Sequence, residues 1–420
     1  MYDLMNREEA IQEASRCLQC KNPRCKSACP ISTEVPEVLK MLQEGHEYQA
    51  GEVLFKNNPL SVICSLVCPH EKQCEGACVL GIKGKSLQIG RVEHYISNKY
   101  LNNKVCQKDA EHVGKVAIVG SGPAGISIAN ILAIKGYDIT IFEAHDKIGG
   151  VLRYGIPEFR LPKSILDKVE HQLEKLGVKI RPNTLIGPLL TVEDLFADGF
   201  DAVFIGTGVW NPKRLNIPGE TNWNVHFAID YLKNPDVYKL GEHLCVIGAG
   251  NVAMDAARTA IRKGVKKVTV MYRRGRQDMP ATNHEIESAM AEGIDFRFYE
   301  NPVALTEAGV LYKQTGEGAD DQDHLLEVDA MIIAVSQGPK SNIVNRTRDI
   351  STNPKGLVVV DECGRTTKQG VFASGDVVTG ANTVVEAVKY SKRVANAMHG
   401  YIQKKHNNED MSDISCSELQ

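Results

Sequence analysis

The sequence predicts an α/β protein in which two dinucleotide-binding folds are nested, preceded by an α-helical segment that carries metal. Three observations predict it. Residues 115–143 read as strand, glycine turn, helix and second strand, and a second unit of the same kind opens at residue 244. Eight of the twelve cysteines fall between Cys17 and Cys78. A chain of 420 residues has room for two or three domains around large cores. Its net charge of −3 makes no electrostatic case for nucleic acid or an anionic membrane surface. The polar, acidic start MYDLMNREEAIQEA is neither a signal nor a transit peptide, and no apolar run reaches the roughly 18 residues of a membrane span. A soluble, cytosolic protein is expected.

The amino-terminal segment, 1–112, holds the cysteines. The first group runs Cys17-x2-Cys20-x4-Cys25-x3-Cys29-Pro30, and the second Cys64-x3-Cys68-Pro69-x4-Cys74-x3-Cys78. A disulfide scaffold needs an oxidising compartment, to which nothing directs this chain. Structural zinc takes paired ligands on separated knuckles. Here four cysteines run together in each group, and proline follows Cys29 and Cys68. That resembles ferredoxin ligation, where the cysteine before proline serves the other cluster of a pair. By that logic Cys17, Cys20 and Cys25 share a [4Fe-4S] cluster with a cysteine of the second group, Cys78. Cys29 then joins Cys68, Cys74 and one more ligand. Zinc and purely structural thiols are the alternatives. Between the groups, residues 34–58 have helical spacing, and Val38, Leu42, Val53 and Leu54 read as core. His46, His70, His94 and His112 have no metal-ligand spacing.

The first nucleotide fold follows. Val116 to Val119 form a strand buried on both faces, and Gly120-Ser121-Gly122-Pro123-Ala124-Gly125 matches GxGxxG between that strand and a helix. The first glycine permits the tight turn, the second lets backbone approach a pyrophosphate, and the third lets helix pack on strand. The next strand, 139–142, ends at Glu143, where a carboxylate binds ribose hydroxyls. Paired glycines at Gly149-Gly150, before Val151, suit a further backbone approach. Residues 163–177 make an amphipathic helix, and the strand 202–205 runs into Gly206-Thr207-Gly208. Far downstream, Val371-Phe372-Ala373-Ser374-Gly375-Asp376 ends a strand on a Gly-Asp pair, and a helix starts near Thr383-Val384. This segment returns to complete the first fold. The expected division is 1–112, a helical two-cluster segment; 113–215 with 352–405, the first nucleotide domain; 216–351, the inserted second; and 406–420, a flexible tail.

In the inserted domain the strand 244–247 leads into Gly248-Ala249-Gly250-Asn251-Val252-Ala253, a GxGxxA turn opening a helix. The following strand, 268–272, ends on Arg273, Arg274 and Arg276 instead of an acid. Arginines there suit the 2′-phosphate of NADP, and NADPH is preferred to NADH on that ground. A solvated basic turn is the bland reading. The strand 330–335 closes the domain, and 311–325 reads as a surface hairpin or loop.

Taken together, the cysteine array, GIPEFRLPK at 155–163, YRRGRQDMPA at 272–281 and the ASGD at 373–376 resemble the glutamate synthase small-subunit family. That family includes the matching portion of dihydropyrimidine dehydrogenase and the large subunit of bifurcating ferredoxin:NADP oxidoreductase. The resemblance runs from Ala14 to about Tyr401 and implies a glutathione-reductase-like pair of Rossmann folds. It also implies FAD in the first fold, NADPH in the second and two [4Fe-4S] clusters. Matched motif by motif, Gly120, Ser121, Gly122, Pro123, Ala124, Glu143, Gly150, Val151, Arg160, Thr207, Gly375, Asp376, Thr383 and Val384 hold FAD. Gly250, Asn251, Val252, Arg273, Arg274 and Arg276 hold NADPH. Some relatives use an acid or amide after the array as a cluster ligand, a position that Glu93 matches, with Cys64 competing. No acid–base triad is expected, because the cofactors carry the chemistry. The resemblance implies a hydride taken from NADPH and electrons sent through flavin and clusters to a partner. That partner is a flavoprotein or amidotransferase-type subunit of a hetero-oligomer, or ferredoxin. The alternatives are the flavin subunit of a bacterial dihydropyrimidine dehydrogenase, a bifurcating ferredoxin-linked oxidoreductase, and a zinc-stabilised NADPH-binding module without redox output.

Overall fold

The computed structural model describes residues 4–105, 107–316, 319–320, 322–340, 342–344 and 346–410. Cys106, Cys416 and positions 411–420 of the expected tail lie outside them. The chain forms two compact units, one of residues 1–152, 158–209 and 339–420, the other of 153–157 and 210–338.

The first unit opens with six helices: α1 (Arg7–Ser15), α2 (Arg24–Ala28), α3 (Val35–Gln43), α4 (Glu47–Asn57), α5 (Ser61–Val67) and α6 (Ile89–Asn103). A capping box starts α1, with Asn6 and Glu9 each satisfying the other's backbone N–H. The helical spacing of 34–58 resolves into α3 and α4, because Gly45, at φ +82°, turns the chain between them. Val38, Leu42 and Leu54 are buried with Val92 and Ile96 of α6, and Val53 packs at the rim. His94 is a core histidine: its Nδ1 lies 3.1 Å from Ser65 Oγ, and burial lowers its pKa.

The first nucleotide fold follows as β1 (Lys115–Val119), α7 (Pro123–Ile134), β2 (Asp138–Phe142), α8 (Val151–Tyr154), α9 (Lys163–Lys175), β3 (Lys179–Arg181), α10 (Val192–Ala197) and β4 (Ala202–Ile205). The second unit contains β5 (Asn211–Pro212), β6 (Val225–Phe227), α11 (Ala228–Lys233), β7 (His243–Ile247), α12 (Asn251–Arg262), β8 (Lys267–Tyr272), α13 (Asn283–Ala291) and β9 (Asp295–Phe298). It continues through β10 (Glu300–Thr306), β11 (Gly309–Gln314), β12 (His324–Glu327), β13 (Ala330–Ile333) and β14 (Gln337–Gly338). The chain then returns to the first fold as β15 (Val371–Ala373), α14 (Asp376–Thr379) and α15 (Val384–Asn407). Asn408, in the left-handed conformation, caps α15 at the start of the stretch expected as tail.

The first sheet has the order β15-β4-β1-β2-β3, all parallel, and the second β6-β13-β7-β8-β9, also parallel. In the first, the chain steps from β1 to β2 and β3 and returns as β4 on the other side of β1; in the second, it steps from β7 to β8 and β9 and returns as β13 on the other side of β7, beside β6. That reversal opens a crevice at the carboxyl edge where ligands bind in such sheets. Register aligns the edge: Val119 pairs with Phe142 and Ile205, and Ile205 with Ala373. The residues following those four strand ends therefore share one rim. The antiparallel sheet β10-β11-β12 contains the hairpin expected near 311–325.

Candidate functional site

The rim of the first sheet gathers Gly120, Thr207, Glu143 and Gly375 from four strands. Gly120 has φ +97°, and a Cβ there would meet the Gly206 carbonyl oxygen at 2.7 Å. A Cβ on Gly125 would meet the Gly120 carbonyl oxygen at 2.0 Å, so α7 can pack on β1 only without a side chain there. Gly122 differs: its nearest neighbour in the Cβ direction is 3.9 Å away. The space above Gly122, at the N-terminus of the 12-residue α7, fits a pyrophosphate drawn to free N–H groups. Pro123 occupies the first helical turn, where a missing N–H costs nothing.

Gly150 crosses close to this turn, its Cβ direction ending 2.9 Å from Gly122 Cα, and Val151 heads the short α8 beyond it. From the other side, a Cβ on Gly375 (φ +75°) would meet Ala124 Cβ at 3.0 Å. Asp376 accepts a hydrogen bond from Asn382 N at 3.2 Å, and burial pushes its carboxyl up to about 6. Thr383 caps α15, its hydroxyl accepting from Glu386 N, so Thr383 and Val384 form the N-terminus of a further helix of this fold. Arg160 is 7 % exposed.

Glu143 is 4 % exposed and heavily engaged. One carboxylate oxygen accepts from Ser121 N at 2.9 Å and from Ser121 Oγ, the other from His145 N at 2.8 Å and faces His145 Nδ1 at 2.9 Å. Burial works to raise its pKa, but the bonds from His145 and Ser121 outweigh it and hold it below the usual range. His145, two residues past the strand end, drew no attention in the sequence, where a lone histidine carries no signal.

The cysteines sort into two sets that cross the sequence groups. Cys17, Cys20, Cys25 and Cys78 line one cavity, walled by Val35, Leu39 and Ile89. Burial pushes the Cys25 thiol up to about 11 and raises Cys17, with Cys20 and Cys78 adding like-charge repulsion at Cys17. Among the described residues, no three His, Cys, Asp or Glu side chains gather as a single metal ion requires. Four thiols lining one cavity are the donor set of an iron–sulfur cluster.

In the second set Cys68 hydrogen-bonds Cys64 and senses the charges of Glu93 and Cys74, while Cys74 senses Glu93 and Cys29. Interaction with Cys64 and burial drive Cys68 well up; burial drives Cys74 up. Glu93, on α6, has no hydrogen bond or ion pair among the described residues. Burial first, then the Glu75 carboxylate, pushes it up to about 8. A half-buried carboxylate without a donor, within electrostatic reach of the Cys68 and Cys74 thiols, is a group prepared for a cation. Glu75 beside it was not foreseen.

The second sheet presents its own rim. A Cβ at Gly250, which caps the 12-residue α12, would meet nothing within 4 Å, another cradle fitted to a phosphate group. Asn251 Oδ1 accepts from Thr282 N at 3.0 Å, tying this turn to the start of α13, a link invisible in the sequence. Val252 is half-buried against the core of this unit. Past β8, Arg273, Arg274 and Arg276 are exposed, and none has a carboxylate partner among the described residues. Three uncompensated guanidinium groups beside a nucleotide turn fit an additional phosphate.

Residues 114–391 match the family model for pyridine nucleotide-disulphide oxidoreductases, and residues 1–105 that for dihydropyrimidine dehydrogenase domain II, 4Fe-4S cluster. The chain is 30% identical to the glutamate synthase [NADPH] small chain of Escherichia coli K12, over 96% of this chain and 93% of that one. It is 33% identical to the NAD-dependent dihydropyrimidine dehydrogenase subunit PreT of the same organism, over 94% of each. Among solved structures, Mycobacterium tuberculosis FprA in complex with NADPH matches with a TM-score of 0.59 at 18% identity, over 71% of this chain and 87% of that one. This last likeness concerns the fold alone.

Proposed function

This chain belongs to the pyridine nucleotide-disulphide oxidoreductase family, and from that premise we propose that it is the electron-input subunit of a larger reductase of the glutamate synthase small-subunit type. It is a flavin and iron–sulfur oxidoreductase that uses NADPH. When bound, FAD would accept hydride from NADPH and release the two electrons one at a time toward the clusters, with the proton left on the flavin passing to water.

The chain's own residues bind and orient. The N–H groups after Gly122 and Gly250 hold the two pyrophosphates. Ribose hydroxyls take the places of Ser121 Oγ and His145 Nδ1 on Glu143, leaving the two backbone bonds to keep that carboxylate ionised. Asp376 and the start of α15 hold the flavin's linking chain. Arg273, Arg274 and Arg276 hold the 2′-phosphate. Cys17, Cys20, Cys25 and Cys78 ligate one cluster; Cys29, Cys68, Cys74 and either Glu93 or Cys64 ligate the other. No side chain is assigned as acid or base: the hydride would pass directly between cofactors, and the proton released on reoxidation would go to solvent. Domain limits near 112, 215 and 351 follow the same reading.

The observation that carries the proposal is the cavity shared by four thiols from both sequence groups, ahead of two nucleotide folds. The partner subunit holds the substrate site. Relatives named as a small chain and as a subunit support this. The PreT relative supports a second reading, the flavin subunit of a dihydropyrimidine dehydrogenase; the unpaired arginines favour the first. Anaerobic affinity purification from the native host, with metal and acid-labile sulfide analysis and mass spectrometry of bound proteins, tests both. A co-purifying amidotransferase supports the first and a pyrimidine-reducing subunit the second. Stoichiometric zinc without sulfide overturns both.

A further inference from the structure

One line of hydrogen bonds joins α15 of the flavin fold to the second cysteine set. Lys392 Nζ donates to Asn57 Oδ1 at 2.7 Å. Asn57 Nδ2 donates to Ile31 O and to Thr33 Oγ1, each at 3.2 Å. Thr33 Oγ1 lies 3.3 Å from Cys29 Sγ. The directions are determined from both ends. An ammonium can only donate, and a metal-bound thiolate can only accept, so the Thr33 hydroxyl donates to Cys29 while Asn57 donates to the hydroxyl. Thr33 is buried, Asn57 and Lys392 are half-buried, and Lys392 has no carboxylate partner among the described residues. The ammonium lies within electrostatic reach of Cys29. It sits on the same helix whose N-terminus, Thr383-Val384, reaches the flavin rim, nine residues or ~14 Å away along the axis.

We infer that Lys392, acting through Asn57 and Thr33, sets the reduction potential of the cluster that Cys29 ligates. Reduction adds one negative charge to a cluster already surrounded by thiolates. A nearby cation without a carboxylate partner and a hydrogen bond to a ligating sulfur both favour that extra electron, and partial burial limits the screening of the charge by water. The first set, Cys17, Cys20, Cys25 and Cys78, has no such connection to α15 among the described residues. The potential of the cluster tied to the flavin fold is thereby raised from α15, and that of the other is not. This inference rests on the reading of Cys29 as a cluster ligand. Lys392 is a positioning and charge-supplying residue; it touches neither substrate nor cofactor.

The test is a redox titration followed by electron paramagnetic resonance on the full chain, purified anaerobically, with iron and sulfide counted first. Lys392→Met is expected to weaken one-electron reduction of one cluster about tenfold, a fall of ~59 mV. The other cluster and the NADPH KM should not move. Lys392→Arg keeps the charge and should restore the potential; Thr33→Val should lower it while leaving the charge in place. A merely structural bond would lower thermal stability without separating the two potentials. Unchanged potentials in both Lys392→Met and Thr33→Val overturn the inference, as does an equal shift of both clusters. If Lys392→Met fails to retain iron, Lys392→Gln is read in its place against the same outcomes. A wild-type chain with a single cluster overturns the ligand assignment beneath it, a result distinct from two clusters with unmoved potentials.

Discussion

At the scale of single residues, charge and burial decide what each group can do. Arg273 and Arg274 stand exposed and without acids, so their removal is free of structural cost. Replacing both with alanine should raise the KM for NADPH at least tenfold and leave that for NADH nearly unchanged, since charge-assisted bonds to phosphate contribute about 1.5–3 kcal/mol each. Steady-state kinetics with both coenzymes checks this. Asp376 makes a pH-dependent contribution in the flavin-free chain. Its carboxyl moves from an ordinary 3.8 up to about 6. The folded state therefore binds this proton more tightly than the unfolded chain. The stability this supplies is complete below pH ~4 and lost as pH rises through about 6. Asp376→Asn removes the loss. Its stability advantage over the wild type, read from urea unfolding, should grow between those values and level off above them, at on the order of 3 kcal/mol. A constant difference across pH would contradict the assignment.

At the scale of elements, the two glycine turns separate packing from binding. Gly125→Ala drives a methyl group against a backbone carbonyl and must push α7 off β1. Unfolding should shift by more than about 2 kcal/mol, with loss of flavin, as overpacking against rigid backbone does. Gly250→Ala meets open space and favours the helix it caps little or not at all. Its melting temperature should match the wild type while the NADPH KM rises tenfold or more, because the methyl fills the phosphate cradle. Calorimetry and kinetics on the pair would expose any reversal. The strand ends were readable because each is a short apolar run broken by glycine, as at Gly120, Gly206 and Gly248, or by charge, as at Glu143 and Arg273. The break of 34–58 into α3 and α4 was signalled by Gly45, which a periodicity reading passes over when apolar spacing continues on both sides.

At the scale of the whole molecule, electron entry and exit occupy different parts of the chain. Cys68→Ser with Cys74→Ser should halve the iron and sulfide and abolish delivery to a partner. NADPH-driven reduction of a dye that accepts electrons at the flavin should persist at more than about half the wild-type rate, because the nucleotide folds have their own cores. Collapse of dye reduction together with iron loss would mean that the helical segment also supports the flavin fold. Among the described residues no helix is long and apolar enough to cross a membrane.

The sequence alone determined the local pieces: buried strands, glycine turns opening helices, an acid at one strand end and arginines at the other, and two runs of cysteine. Each is encoded within a few residues, where backbone sterics and side-chain periodicity act directly. The nesting of the two folds was also legible, since the ASGD strand has no other sheet to complete. Only tertiary structure decided which distant groups meet. It left the Glu93 carboxylate without a donor beside Cys68 and Cys74, and saturated Glu143 with Ser121 and His145. It also ran a hydrogen-bonded path from Lys392 to Cys29, residues separated by most of the chain. Such meetings depend on sheet order, strand register and the packing of α15, none of which leaves a pattern in the residues that finally touch.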